Sequence, residues 1–202
     1  MRQAADPGPV AAAVPRGKLS AMGENSLAND LPLAFGTGSV RAWRRDDRAA
    51  LLRHANNPRV ARWLSLRFPH PYTTADADAW FEFLESQAEP EGWAIDIGGE
   101  AVGGIGVRRG SGEFAHSGEL GYWLGEAFWG RGIMSAAARA VVPFAMARWR
   151  LSRLTAYAAS DNIGSIRVLE KAGFVREGLM RARAVRDGLA QDHVVFGLVK
   201  PG

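Results

Sequence analysis

The stretch from Gly118 to Ala138 holds the pattern with the clearest chemical potential, because two glycines separate an apolar run from an alanine-rich one. Gly130 and Gly132 allow tight backbone turns that bring successive N–H groups together. A helix starting at about Met134 or Ser135 adds N–H groups without intrahelical partners and the positive end of its dipole. This arrangement predicts a seat for a phosphate or a pyrophosphate.

A plain strand-to-helix turn explains two such glycines about equally well, since short motifs often match by chance. The loop also lacks the lysine and hydroxyl pair by which nucleoside triphosphatases hold the β- and γ-phosphates and magnesium. A second predicted strand-to-helix junction, from Ala158 to Glu177, strengthens the functional interpretation. There Asn162 and Ser165 fall on the first turn of a predicted helix. Taken alone, Asn162 is most simply a helix cap.

Hydrophobic periodicity predicts the elements that must position these two junctions. Thr73 and Asp76 form a capping box for a long amphipathic helix that ends before Pro90. Gly98-Gly99 and Asp187-Gly188 are the expected turns of two hairpins. The predicted order is a strand, helices, three strands, a helix, a strand, a helix and two strands. This order indicates a mixed α/β sheet with helices on both faces.

The composition is that of an ordinary globular domain, with 202 residues, of which 47% are hydrophobic and 23% charged. The absence of cysteine excludes disulfides and a cysteine nucleophile, and it fits a cytoplasmic location. A net charge of +4 allows a nucleic-acid partner. The arginines are scattered, however, so the pattern does not favour nucleic acid. No apolar run is long enough to span a bilayer, and a membrane partner is not expected.

Residues 1–30 are rich in Ala, Pro and Gly and show no sustained apolar period, which predicts a disordered leader. Met22, followed by Gly23, is a possible alternative start. The chain from residue 31 to residue 202 is expected to form a single domain, because its length suits one hydrophobic core.

The two junctions together resemble the Gcn5-related N-acetyltransferase (GNAT) superfamily, and within it the RimJ/RimL-type branch. The similarity runs from about Val40 to Lys200. It is most specific in W-G-R-G-I-M-S-A-A, from Trp129 to Ala137, and in N-I-G-S-I-R-V-L-E-K-A-G-F-V-R-E-G, from Asn162 to Gly178. The resemblance implies a central, mostly antiparallel sheet of about seven strands that splays between strands four and five. It also implies acetyl transfer from acetyl-CoA to a primary amine, by direct attack in a ternary complex.

In this family the backbone amides of the glycine loop hold the pyrophosphate of acetyl-CoA or CoA, and the pantetheine arm lies in the splay. By resemblance, the cofactor-binding residues are Trp123, Leu124, Trp129, Gly130, Arg131, Gly132, Ile133, Met134, Ser135 and Asn162. Backbone groups of Trp123 and Leu124 would pair with the pantetheine amides. The superfamily prefers Gln or Arg at the position of Trp129 and Gly or Ala at that of Met134. No metal is implied.

Acetyl transfer needs a neutral amine, so a general base or a water relay must accept its proton. Glu119 is the leading candidate, because strand alternation places it on the same face as Gly121 and Trp123. Related enzymes also use a glutamate in this strand. A surface glutamate paired with an arginine is the competing interpretation. His116, in the preceding loop, is the second candidate base.

An acid that protonates the leaving thiolate is useful to this reaction. Many family members place a tyrosine in the helix after Asn162 for this task, whereas the corresponding stretch here offers Leu169. By resemblance to the RimJ/RimL branch, Ser165 is the candidate catalytic acid. A serine that merely occupies the first helical turn is an equally consistent interpretation. The developing oxyanion would be held by a backbone N–H of the fourth strand.

The expected acceptor is the amine of a protein N-terminus or of a small molecule, and the resemblance favours the N-terminus. In such enzymes the helices before the first hairpin usually line the acceptor side, and their aromatic residues here are Trp63, Phe68, Tyr72 and Trp80. Trp80 also fits a core position. Two rival functions are a non-catalytic acetyl-CoA-binding sensor or interaction module and a nucleic-acid-binding protein. The branch also makes a homodimer through the final hairpin plausible.

Overall fold

Eight strands form one sheet in the computed structural model, which describes residues 31–186 and 188–200. The strands are β1 (Leu33–Phe35), β2 (Gly38–Arg41), β3 (Gly92–Ile97), β4 (Glu100–Arg109), β5 (Ser117–Leu124), β6 (Arg153–Ala159), β7 (Val175–Arg186) and β8 (Leu189–Val199). Their order across the sheet is β1-β2-β3-β4-β5-β6-β8-β7. The predicted leader at residues 1–30 and the alternative start at Met22 lie outside the described residues.

The mixed α/β fold with a mostly antiparallel sheet is confirmed, with one strand more than the seven expected. The additional strand is β1, which pairs with β2 so that Leu33 lies opposite Val40. Three residues are too few for alternation to be visible in a sequence. Because β1 precedes the other strands, the splayed strands are the fifth and sixth of the chain.

The splay arises because β5 and β6 are each held mainly on their outer side. β5 pairs with β4 along its length, from Gly118 to Leu124. It pairs with β6, in parallel, only over its first three residues, which end at Glu119. β6 continues to Ala159 by pairing with β8. In the described structure no backbone pairing then joins the two strands, and a gap opens between their carboxyl ends.

The helices of the described residues are α1 (Arg48–Ala55), α2 (Pro58–Ala61), α3 (Thr74–Ser86), α4 (Ile133–Arg148) and α5 (Ile163–Lys171). The predicted capping box begins α3, since the Asp76 N–H donates to the Thr73 hydroxyl at 3.3 Å and the Thr73 N–H donates to the Asp76 carboxylate at 2.7 Å. None of the described helices has both the length and the hydropathy of a membrane span.

Two apolar clusters lie on the two sides of β5. The larger one joins the sheet to α4 and α5 through fully buried residues such as Leu154 and Phe196. The smaller one joins α1 and α3, with Leu51 at its centre. Trp123 packs on the smaller cluster and its neighbour Leu124 on the larger, as strand alternation requires. Both clusters therefore hold β5, and with it one edge of the gap.

A buried ion-pair network centred on Arg41 joins β2, the following turn and β3. The guanidinium donates two hydrogen bonds to Asp47 and one to Asp96, each at 2.7 Å. Arg41 and Asp47 are both only 6% exposed. Burial alone would raise the pKa of Asp47. The hydrogen bonds from Arg41 and from the Arg44 N–H outweigh burial and hold that pKa below its usual value.

We expect Asp47→Asn to lower the free energy of unfolding at pH 7 by about 3 kcal/mol, because it leaves the buried Arg41 charge without its main partner. A carboxyl whose pKa is lowered by folding stabilises the protein above its unfolded pKa of about 3.9 and loses that contribution as pH falls through the folded value. The stability of the wild type should therefore fall more steeply below about pH 4 than that of the variant. Urea unfolding at pH 7 and pH 3 measures both quantities.

The matched control is Asp46→Asn, which removes an exposed carboxylate next to Asp47. Asp46 forms no ion pair within the described ranges, so its replacement should change stability by less than about 0.5 kcal/mol. An equal loss in the two variants, or the same acid sensitivity in Asp47→Asn as in the wild type, would contradict the stabilising role of the Arg41 network.

Candidate active site

Six successive backbone N–H groups, from Gly130 to Ser135, have no hydrogen-bond partner in the described part of the chain. The first bond within α4 runs from the Ala136 N–H to the Gly132 carbonyl at 3.0 Å, so the first three N–H groups of this helix stay open. Gly130 and Gly132 have φ values of 74° and 73°, a region that glycine adopts without strain. Such a loop, continued by a helix N-terminus, suits a phosphate group.

Side chains fix this glycine loop to its surroundings. The Trp129 indole N–H donates to the Leu124 carbonyl at 2.7 Å, which ties the loop to the end of β5. The Arg131 guanidinium lies 5.4 Å from the ring centroid of Phe128. Phe128 in turn meets the His54 ring of α1 edge-on, with centroids 5.4 Å apart. Trp129 thus supports the loop with its side chain, and the Leu124 carbonyl already accepts one hydrogen bond.

A cavity of about 1010 Å³ fills the gap between β5 and β6 and reaches the glycine loop. Its walls come from α2 and the residues after it, from β5 and β6, from the first turn of α4, from α5 along its length, and from the β7–β8 hairpin. A space of this size is at the upper end of small-molecule sites and suits a long ligand with a second substrate beside it.

The pairing register decides which backbone groups of β5 face this cavity. The Gly125 N–H donates to the carbonyl of Val102 in β4 at 2.8 Å. Because bonded pairs alternate in an antiparallel ladder, Trp123, two residues earlier, also directs its backbone groups to β4. The backbone groups of Tyr122 and Leu124 point the opposite way, into the gap. We therefore expect these two residues, rather than Trp123, to offer N–H groups to an extended ligand.

Asn162 caps α5, as its position in the sequence suggests. Its Oδ1 accepts a hydrogen bond from the Ser165 N–H at 3.0 Å. Its Nδ2 has no hydrogen-bond partner among the residues that the structure describes, so this group is available to a ligand. Asn162 and Ser165 both line the cavity. The capping role and a ligand-binding role are therefore compatible, because they use different atoms.

Tyr122 is a site residue that sequence reasoning did not single out. Its hydroxyl lies 2.8 Å from Ser165 Oγ and 3.2 Å from the Ser165 carbonyl oxygen. Burial raises the pKa of Tyr122, and the hydrogen bond with Ser165 offsets this only in part. The phenol therefore stays protonated and can donate. In the sequence an aromatic residue in an alternating strand simply indicates the core, and only the tertiary contact with α5 reveals the pair.

Glu119 lines the cavity at the point where β5 and β6 stop pairing. Its carboxylate also accepts a hydrogen bond from the Arg108 guanidinium of β4 at 2.7 Å, and both side chains are more than one-third exposed. Glu119 thus lines the cavity, as a general base would have to, and it also forms the arginine pair of the competing interpretation. His116 is exposed and does not line the cavity, and its carbonyl accepts from the Ser152 N–H at 2.8 Å. The structure places Glu119, and not His116, at the gap.

Of the four aromatic residues expected on the acceptor side, Trp63 lines the cavity and the other three do not. Phe68, Tyr72 and Trp80 belong to the smaller apolar cluster. The wall facing Trp63 comes from the β7–β8 hairpin, whose cavity-lining residues are Arg183, Ala184, Val185, Arg186, Gln191 and His193. These residues were not predicted, because the hairpin reaches the cavity only through the tertiary fold.

The match to a known family covers the glycine loop, the splayed strands and α5. Residues 39–175 match the family described as the acetyltransferase (GNAT) domain. The chain belongs to the GNAT family. This is a family of acyltransferases, and membership in it agrees with the enzyme class that the resemblance of the two junctions implied. The probable N-acetyltransferase YjcK of Bacillus subtilis (strain 168) is 43% identical to this GNAT protein over 82 residues, which are 41% of this chain and 45% of YjcK.

Two further proteins place this GNAT chain near the RimJ/RimL-type enzymes, as the resemblance predicted. The [ribosomal protein uS5]-alanine N-acetyltransferase of Escherichia coli (strain K12) is 30% identical over 86 residues, 43% of this chain and 44% of that protein. RimL, a ribosomal L7/L12 alpha-N-protein acetyltransferase solved in complex with coenzyme A, has the same fold, with a TM-score of 0.73 and 21% identity. That alignment covers 84% of this chain and 97% of RimL. The chain spans just under half the length of YjcK and of the E. coli enzyme.

We expect Gly132→Ala to weaken coenzyme A binding at least tenfold. A side chain at a φ of 73° strains the turn that aligns the open N–H groups. The added Cβ would meet no atom within 4 Å, so the domain should stay folded. Isothermal calorimetry with coenzyme A measures the affinity, and thermal unfolding checks the fold.

Gly112→Ala is the matched control, because Gly112 also has a positive φ, of 59°, and open space where an added Cβ would lie. This glycine lies between β4 and β5 and does not line the cavity. Its replacement should cause similar strain and change coenzyme A affinity by less than twofold. Wild-type affinity in Gly132→Ala would remove the glycine loop from the cofactor site.

Proposed function

We propose that this GNAT protein transfers the acetyl group of acetyl-CoA to a primary amine by direct attack in a ternary complex. The run of open N–H groups from Gly130 to Ser135, next to the gap between β5 and β6, carries the proposal. A pyrophosphate bound to this loop would let the pantetheine arm lie in the gap beside Tyr122 and Leu124. The thioester would then lie near Ser165. No metal takes part in the proposed reaction.

The proposed cofactor-binding residues fall into three groups by the atoms that they offer. Gly130 to Ser135 offer backbone N–H groups, Leu124 offers its N–H, and Asn162 offers its Nδ2. Trp129 supports the loop through its indole. Trp123 remains in the set as a residue of the cavity lining, although its backbone groups belong to the ladder with β4.

Acetyl-CoA supplies a thioester carbonyl that is open to attack by an amine. We assign Glu119 the role of general base, which accepts the proton of the amine directly or through one water. Its exposed ion pair with Arg108 contributes at most about 1 kcal/mol, so an incoming amine can displace it at small cost. A backbone N–H of β5 that faces the gap stabilises the negative charge that develops on the carbonyl oxygen.

Ser165 is the proposed acid, and Tyr122 prepares it for that role. Tyr122 has one proton and two nearby acceptors, Ser165 Oγ and the Ser165 carbonyl oxygen. When the phenol donates to Oγ, the serine hydrogen is free to point at the leaving sulfur. Rotation of two hydroxyl hydrogens is sufficient, and no heavy atom has to move. Because its pKa is raised, Tyr122 keeps its proton, and the Ser165 O–H stabilises the negative charge on the sulfur as a hydrogen-bond donor. The thiolate is a fair leaving group by itself and takes its proton from solvent after it has left.

A protein N-terminal amine is the acceptor that the similarities favour over a small-molecule amine. The E. coli relative is named for an alanine of ribosomal protein uS5, and RimL for the α-amine of L7/L12. The cavity supports this choice, since it continues past the gap to Trp63 and the hairpin and leaves room for a peptide beside the cofactor.

A non-catalytic acetyl-CoA-binding sensor is the second candidate. The ion pair between Glu119 and Arg108 favours it, because a sensor needs no free base.

A homodimer remains a prediction, supported by the exposed apolar side chains Val175, Leu179 and Val185 on the edge strand β7. A cytoplasmic location is also still a prediction.

The catalytic proposal predicts release of coenzyme A thiol from acetyl-CoA when a suitable amine is present. The test panel contains short peptides with a free N-terminus, free amino acids, polyamines and an aminoglycoside. We expect Glu119→Gln to slow thiol release at least tenfold and to leave the affinity for coenzyme A unchanged, because the amide cannot accept a proton. A thiol-reactive dye follows turnover, and mass spectrometry identifies the acetylated amine.

Arg108→Gln is the control, since it breaks the same ion pair and keeps the Glu119 carboxylate. This variant should retain turnover within about threefold. Equal slowing in both variants would show that the ion pair, and not proton transfer, is what Glu119 contributes. Coenzyme A binding without turnover on any amine would favour the sensor.

The hydrogen bond between the Tyr122 and Ser165 hydroxyls predicts that the effects of removing them on kcat are not additive. We expect Tyr122→Phe to lower kcat five- to tenfold with little change in the KM for acetyl-CoA, because the ring stays and only the donor to Ser165 is lost. Ser165→Ala should lower kcat about tenfold. In the Ser165→Ala background, Tyr122→Phe should have no further effect, since the two hydroxyls act as one unit.

Tyr72→Phe serves as the reference for hydroxyl removal, because Tyr72 is a buried tyrosine outside the cavity lining. Its turnover should match that of the wild type. Additive losses in the Tyr122 and Ser165 cycle would show that the two residues act independently, and Tyr122 would then have no role in orienting Ser165.

A further inference from the structure

The β7–β8 hairpin extends past the end of β6 and bends over the cavity. Pairing of β8 with β6 begins only at His193, so the preceding part of β8 lies beyond the end of β6. The β7–β8 register shifts between Met180 and Ala184. Within this shift Ala182 has a φ of 50°, unusual for a residue with a side chain. Its N–H donates to the Asp192 carboxylate at 2.8 Å, which holds the strained residue in place.

Arg183 follows directly after this irregularity and lies against Tyr157 of β6. Its guanidinium carbon is 3.5 Å from the centroid of the Tyr157 ring. Both residues line the cavity. Stacking fixes the plane of the guanidinium and covers one face, whereas the N–H groups at its edge remain available. The bend of β7 thus presents a pre-oriented cation to the cavity.

Arg186 crosses from the hairpin to the opposite wall. Its Nη1 donates to the Leu64 carbonyl, in the segment after α2, at 2.6 Å. Both residues line the cavity, so this bond bridges its two sides. One of five guanidinium N–H groups is used, and the edge formed by Nε and Nη2 remains for a second acceptor. Arg186 is therefore held in position before any ligand binds.

Neither guanidinium forms an ion pair with a carboxylate in residues 31–186 and 188–200. The described lining of the cavity contains two acidic residues, Glu119 and Asp161. Glu119 is paired with Arg108, and Asp161 is exposed, just before α5, and pairs with neither arginine. His193 also lines this end of the cavity, and its buried Nδ1 has no hydrogen-bond partner among the described residues. Within the described ranges, the hairpin wall therefore offers positive charge that no carboxylate neutralises by an ion pair, since the Asp192 carboxylate bonds to the Ala182 N–H.

We propose that Arg183 and Arg186 form a subsite for a carboxylate that lies close to the reacting amine of the acceptor. The proposal rests on the acetyl transfer proposed above and specifies its substrate class. Guanidinium groups bind carboxylates through paired N–H···O bonds, and two fixed guanidiniums lose little conformational entropy on binding. The same positive charges disfavour the ammonium form of the acceptor, which helps to deliver a neutral amine.

The carboxylate can come from an acidic side chain near a peptide N-terminus or from the α-carboxylate of a free amino acid. Three C-terminally amidated peptides, Ser-Glu-Ala-Ala, Ser-Gln-Ala-Ala and Ser-Lys-Ala-Ala, test the first source. Free serine compared with serinamide tests the second. Binding to the protein saturated with coenzyme A is measured by calorimetry, and acetylation by thiol release with acetyl-CoA.

We expect the glutamate peptide, or free serine, to bind at least tenfold more tightly than its neutral counterpart. Arg183→Gln and Arg186→Gln should each reduce this preference to less than threefold and leave coenzyme A affinity unchanged. Arg186→Glu should reverse the order of the glutamate and lysine peptides, which a general loss of folding would not do. Arg181→Gln, an exposed arginine of the same strand that does not line the cavity, should keep the wild-type preference.

The calorimetric binding measurements distinguish failure of the carboxylate subsite from failure of the proposed acetyl transfer. Equal affinity of the wild type for charged and neutral members of both pairs would overturn the carboxylate subsite, whatever the turnover. Loss of preference in Arg181→Gln as well as in Arg186→Gln would also overturn it, since surface charge in general would then explain the effect. Selective binding without thiol release would keep the subsite and overturn the transferase proposal.

Discussion

The open side of β5 is the constraint on which the site depends. This strand is held by β4 on one edge and by apolar clusters on both faces, yet it pairs with β6 only as far as Glu119. Backbone groups left unpaired in a protein interior are costly. The gap can persist because Tyr122 and Leu124 border an open cavity, and the Leu124 carbonyl is already paired with the Trp129 indole. An extended ligand could pair with the remaining groups in the manner of an added strand.

The same strand also positions the glycine loop. Trp129 bonds to the carbonyl of Leu124, so the end of β5 fixes the start of the loop. The two glycines then turn the backbone, and α4 begins with its open N–H groups at the edge of the cavity. One strand thereby positions both the backbone groups proposed for the pantetheine arm and the loop proposed for the pyrophosphate. Because both depend on β5, the glycine loop and the open edge of the strand keep a fixed position relative to each other.

The features that the sequence predicted are local, and those that it missed depend on distant contacts. Gly130 and Gly132 follow an apolar strand within a few residues, so their turn, the helix after them and the family could be read directly. Tyr122 looks like a core residue until α5 brings Ser165 to its hydroxyl. Arg186 lies 122 positions from Leu64 along the chain, and no hydrophobic periodicity in the sequence indicates a contact over that separation. The strand β1 was missed for another reason, since three residues show no alternation.

The spacing along β5 also limits how a base and an acid can share one reaction. Glu119 and Tyr122 are three residues apart, which is about 10 Å along a strand. Strand alternation also directs the Glu119 side chain to the face of Trp123 and the Tyr122 ring, with Ser165 at its hydroxyl, to the opposite face. If the sulfur lies beside Ser165, the amine must therefore approach from the side of Glu119. The proposed role as a base thus requires Glu119 to turn from Arg108 into the cavity or to act through a water, and its exposed, weak ion pair permits either route.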